Sequence, residues 1–262
     1  MVEWFKRRRP RAAATSLRSR DDLVVTRVDL HEFTPAPEVL LATAAYVQLT
    51  LFENLARVTA IVPTAEGKHV VTLAAEAAIG KHRALVAELE RLGVDAGAAM
   101  EAHRGAADRF QRLTQGADWT EAALTTHLAS GFLDETYASL AAGLRGDLGP
   151  RVRGILIADR RDAGLVLLLA EAMEVNPRLA PRLAMWGRRV LGDTMILARD
   201  ALDFGPDHRR SAAIIEPAFS ELIAEHTRRM DALGLADLFR APPDDLRSSA
   251  LASRRRRTAP SL

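Results

Sequence analysis

The sequence predicts an all-α protein: four long helices in a bundle, with additional helices packed against it. Three observations carry this. Apolar residues recur at three- and four-residue steps over several long stretches. The alternation of β-branched and polar residues that a strand needs is absent, and aromatic residues make up only 5% of the chain. Proline and glycine fall between the periodic stretches, at Pro63, Gly93, Gly149-Pro150 and Asn176-Pro177. Hydrophobic content of 48% is ample for a core.

Residues 1–28 show no apolar period and read as a basic, disordered tail. Asp29–Pro37 is turn-rich, because Pro35 and Pro37 discourage a helix there. A helix is expected from Glu38 to about Ile61, with Ala42, Tyr46, Leu49, Glu53, Ala56 and Ala60 on one face. A second runs from Glu66 to Leu92, closed by Gly93, with Val71, Ala74, Ala75, Ala78, Leu85 and Leu89 inward and Lys81 at the edge of that face. A shorter helical segment spans Ala96 to about Gln115. Asp118 is the expected N-cap of the third long helix, Trp119 to about Leu144, both sides of which are apolar. The fourth follows Gly149-Pro150 and continues from Val152 until Asn176-Pro177 stops it near Val175. A fifth covers 180–202, with Trp186, Val190, Asp193 and Leu197 on a face. Pro217 is expected to start a last helix bearing Phe219, Leu222, His226 and Met230. The folded domain is therefore 29–240, and 241–262 is a second basic, disordered tail.

Charge is unevenly spread. The net charge of +2 combines +6 in residues 1–20, +5 in 247–262 and −9 in the stretch between them. The basic ends suit weak electrostatic contact with nucleic acid or an anionic membrane. The acidic middle argues against a nucleic-acid reader, which carries its basic patch on the folded surface. There is no cysteine, which excludes disulfides and thiolate metal sites and fits a cytoplasmic location. No apolar run approaches the roughly 18 residues of a membrane span, so no transmembrane segment is expected. A homodimer is compatible with the composition.

Ionisable residues stand on faces that should be apolar. Asp159 and Asp162 lie three apart within the stripe expected for 152–170, so one helix would turn both inward. Glu53, Lys81 and Glu135 are placed similarly. A bundle in which two helices give one carboxylate each and two give an i, i+3 pair is the plan of a carboxylate-bridged di-metal centre. Here the pair positions would be 78/81 and 159/162, and they hold Ala78, Lys81, Asp159 and Asp162 instead of Glu-x-x-His.

Six phrases make the chain resemble the ferritin-like proteins of actinobacteria grouped with the MiaE-type tRNA hydroxylases. They are LTLFENLARV (49–58), AAIGKHRAL (77–85), GFLDETYASLA (131–141), IADRRDAGL (157–165), RLAPRLAMWGRRVLGD (178–193) and AEHTRRMDALGL (224–235). The resemblance implies a ferritin-like four-helix bundle with additional C-terminal helices. It matches Glu53 and Glu135 to the family's single carboxylates, with Asp134 one register step away as the alternative to Glu135. It matches Asp159 to the acid of the second pair and Asp162 to a lost histidine. Ala78 and Lys81 stand where the first pair would supply two ligands. His82 is one residue, or about 100°, off that face. Tyr46, Asp193 and His226 are the expected surrounding shell.

Two readings stay open. In the first, no metal binds: the Lys81 ammonium compensates Glu53, Glu135 and Asp159, and the protein is a non-catalytic helical binding or structural protein. In the second, Glu53, Glu135, Asp159 and Asp162 hold iron or manganese in a carboxylate-rich site, and the protein is an oxidoreductase or hydroxylase acting on tRNA or a small molecule. The first is preferred, because the missing ligands all fall at the pair positions. It predicts the Lys81 ammonium within hydrogen-bonding reach of Asp159, Glu53 or Glu135.

Overall fold

Helix α1, Pro37–Ile61, begins with proline at its first position, where the missing N–H costs no intrahelical bond. A short link through Val62 leads to Thr64, whose side chain caps α2, Ala65–Arg91, by accepting from the Gly67 N–H. So short a link folds the two back on each other, and they form the most extensive helix pair among the described residues. In this computed structural model, residues 29–158, 162–204 and 208–236 are described, with the side chains of 162 and 208–214 left aside. The expectations for 1–28 and 241–262 lie outside the described residues.

The Asp95 side chain caps α3, Ala96–Leu113, which lies on α1. Asp118 caps α4, Trp119–Leu140, through the Thr120 and Glu121 N–H groups, as expected. Helix α4 is the axis of the fold. It packs against α1 and against four later helices: α5 (Leu148–Ile157), α6 (Asp162–Val175), α7 (Leu179–Asp200) and α8 (His208–Ala232). Eighteen of its residues are buried, including Phe132, Leu133 and Tyr137. Among the described residues there is no strand.

Three expectations are corrected. The stretch 152–170 is not one helix: α5 ends at Ile157, Ala158 is extended, and α6 starts at Asp162. The reason is local. Aspartate is a poor residue inside a helix and a favourable one in its first turn, and Asp162 stands at the start of α6. Pro150 does not precede a helix but sits in the first turn of α5, where proline is tolerated. Pro217 lies inside α8 instead of starting it.

Helix α1 meets the length and composition of a membrane span, the only one among the described residues to do so, yet 61% of its most apolar window is buried inside the protein. It is a core helix here, packed by α2, α3 and α4.

Candidate functional site

A buried ionic knot ties the bundle helices together. The Lys81 side chain on α2 is 11% exposed, and its ammonium Nζ donates to Oδ2 of Asp134 on α4 at 2.5 Å. The amide Nε2 of Gln48, buried on α1, donates to the other carboxylate oxygen, Oδ1, at 2.7 Å. Three helices are thus tied at one carboxylate that is itself 4% exposed. A carboxylate removed from water needs a cation and hydrogen bonds on its oxygens to remain ionised. Both oxygens of Asp134 have such a donor.

The knot lines a cavity of about 30 Å³, bounded also by Leu51, Ala78, Thr126, Ser130, Gly131, Leu165 and Arg229. That is room for one or two water molecules. Arg229 enters from α8. Its guanidinium lies against the Gly131 backbone, where any β-carbon would collide with it. Nη1 points at the His127 carbonyl oxygen at 3.4 Å, and Glu225 lies 3.5 Å from Nε. Gly131 is therefore the place on α4 where a cationic side chain from the last helix fits against the backbone and lines the same cavity.

The expected residues distribute as follows. Lys81 is inside, and among the described residues its acid is Asp134 and neither Glu53 nor Glu135. Glu135 is half-buried one residue further on, about 100° around the helix. Glu53 is exposed and accepts from Gln111 Nε2 of α3 at 3.0 Å; the inward residues of this part of α1 are Gln48, Leu51, Asn54 and Leu55. Tyr46 shares the α3-facing side. Its hydroxyl donates to Asp108 Oδ1 at 2.6 Å, and burial, reinforced by Asp108, pushes its pKa up to about 12. Asp159 lies outside the described residues. Asp162 is the first residue of α6, and its side chain is likewise outside them. Helix α5 ends at Ile157 and α6 starts at Asp162, so the single helix on which the pairing rested is not formed.

Asp193 is half-buried on α7. His226 is buried, and its Nε2 N–H donates to the Gly187 carbonyl across the α7–α8 contact at 3.2 Å. Burial pushes its pKa down to about 4, so the imidazole is neutral at neutral pH. His82 donates through Nδ1 to the Ala45 carbonyl at 2.9 Å and so links α2 to α1. Among the described residues, no three His, Asp or Glu side chains converge into a set that could hold a metal ion.

Gln48, Gly131 and Arg229 escape a reading of the sequence. Gln48 is one polar residue on a helix that is buried on several sides. Arg229 sits in a run of surface-like charges, and its destination depends on a glycine about a hundred residues earlier in the chain.

The family model described as "Ferritin-like domain, actinomycetes" matches residues 33–203. No curated protein matches the chain. Helix α8, which brings Arg229 and His226, lies beyond the matched span.

Proposed function

The chain belongs to the ferritin-like domain family of actinomycetes, and from that premise we propose that it is a non-catalytic member of the fold. In this reading its bundle centre is closed by an ion pair instead of a metal pair, and the protein serves as a helical binding or structural element in the cytoplasm. The observation that carries this is the Lys81–Asp134–Gln48 knot, with Nζ and Nε2 on the two carboxylate oxygens at 2.5 and 2.7 Å. Lys81 stands at a position where the resemblance to MiaE-type tRNA hydroxylases calls for a ligand, and that kinship is part of the proposal.

The described donors are fewer than a bridged pair of metal ions takes, which supports this reading. Such a centre takes about four carboxylates and two imidazoles from the bundle helices. The described lining supplies one carboxylate, already engaged on both oxygens, together with an amide and an ammonium. A cation placed beside Asp134 would also face the Lys81 charge. The surroundings supply rigidity: three helices pinned at one point, with an arginine from α8 lining the same small pocket.

Metal analysis of protein expressed with iron and manganese supplied tests the reading. The expected content is close to none, and the Ala78→Glu/Lys81→His variant should gain metal. About two ions per chain in the parent protein overturns the proposal.

A further inference from the structure

Helix α7 has a face that the core does not use. It buries Leu183, Ala184, Gly187, Val190 and Leu197. Its other side exposes Met185, Arg188, Arg189, Ile196 and Arg199. Met185 and Ile196 are 64% and 54% exposed, large apolar side chains set among the arginines. Ile196 also forms a wall of an open groove of about 500 Å³ between α7 and α8, whose other apolar lining comes from Met195, Ile215 and Phe219. Arg199 stands at that groove, as does the acid Glu216.

Two of these arginines, Arg189 and Arg199, stand on aromatic rings. The Arg189 guanidinium rests 5.3 Å from the Trp186 ring, and that of Arg199 rests 5.4 Å from the Phe204 ring. An aromatic face positions a guanidinium without neutralising it. Of the four arginines of α7, Arg182 is paired with Asp118 and Glu121, which leaves Arg188, Arg189 and Arg199 on the outer side beside the half-buried Asp193, and Asp200 is bonded to Arg109 at 3.0 Å. This face is basic although residues 21–246 sum to −9.

We propose that the outer face of α7 docks on an anionic lipid surface. The arginines meet headgroup phosphates, and Met185, Ile196 and the groove meet the acyl boundary, as a basic amphipathic helix does when it lies in a membrane interface. Charge complementarity selects an anion. The apolar side chains among the arginines select a lipid over a nucleic-acid backbone, which is held by cationic and polar groups alone. The basic stretches 1–20 and 247–262 carry the same sign.

Vesicle flotation of the full chain tests this, with phosphatidylcholine alone or mixed with phosphatidylglycerol. The parent protein is expected to float only with the anionic vesicles. Arg189→Glu/Arg199→Glu should lower its partition about tenfold or more. Met185→Ser/Ile196→Ser leaves the charge unchanged and should lower it several-fold, which no purely electrostatic contact by the chain ends would do. All four positions are at the surface, and far-UV melting checks that each variant folds; should one pair fail to fold, the other carries the test. Three results overturn the proposal. One is no flotation of the parent with anionic vesicles. Another is equal flotation with neutral vesicles. The third is parent-like partition of Met185→Ser/Ile196→Ser, which would give the face to a phosphate backbone such as RNA when the charge-reversed variant also loses RNA binding.

Discussion

Helix α2 carries two ionic clusters seven residues apart, and they are built on opposite principles. At Lys81, cation and anion are both withdrawn from water, and the carboxylate of Asp134 shares its other oxygen with Gln48. At Glu88 only the carboxylate is withdrawn. Its side chain is 3% exposed, while its partners Arg151 and Arg91 are 40% and 61% exposed. Arg151 reaches it from α5 through Nε at 3.2 Å and Nη2 at 3.0 Å. A pair with both members buried pins helices but leaves a stranded charge when either is removed. A pair with solvated guanidiniums forgives such a loss, because the arginines return to water. The position at the bundle centre is thus the unforgiving one.

The largest expected effect follows directly. Lys81→Met should cost about 3–5 kcal/mol, since it removes a buried cation bonded to the buried Asp134 carboxylate. Lys81→Met/Asp134→Leu should recover most of that loss, and chemical denaturation of the two singles and the double measures the coupling. Additive single losses would break the contrast between the two clusters.

Second in size is the response to acid at His226. Its folded pKa of about 4 lies below the ordinary 6.5. Stability from the neutral imidazole is therefore complete above pH 6.5 and is lost as the pH falls from there toward 4, by at most about 3 kcal/mol. His226→Gln should flatten that part of the pH–stability profile. An unchanged slope would mean that His226 is not held neutral by burial.

The peripheral cluster should respond less. The Arg151 guanidinium, outweighing the opposite effect of burial, and then Arg91 hold Glu88 below the usual carboxylate range. Its contribution is present above about pH 4.3 and is lost only as the pH falls through the depressed value. Glu88→Gln should cost about 1–2 kcal/mol at neutral pH and remove that acidic slope.

Smallest of the set, Gly131→Ala should cost about 1 kcal/mol by displacing Arg229. The same change made on Arg229→Ala should instead stabilise, because alanine is the better helix residue. Thermal melts of the four proteins check the reversal of sign.

How far the sequence could be read follows the burial of each helix. Asp118 and the Asn176-Pro177 stop were legible because caps and breakers act through the backbone nearby. The inward side of α1 was not. α2, α3 and α4 all pack on it, so its apolar residues do not single out one face, and the expected stripe through Tyr46 and Glu53 proved to be the side toward α3. The same holds for α4, where burial on nearly every side leaves periodicity unable to choose between Asp134 and Glu135. The run from Val152 to Ala170 had the right period for one helix. What divided it was the preference of aspartate for helix ends, a local signal that a stripe of apolar residues conceals. Lys81 was found because an ammonium on a small-residue face is conspicuous. Its partner required the three-dimensional register of α2 against α4.

The central claim is that the Asp134 carboxylate is held by Lys81 and Gln48 in place of a metal. Anaerobic calorimetric titration of the metal-stripped full chain with Fe²⁺, and separately with Mn²⁺, tests it most directly. The account predicts no saturable heat from the parent protein and saturable binding by Ala78→Glu/Lys81→His. Stoichiometric binding of about two ions by the parent, abolished by Asp134→Asn, would contradict it.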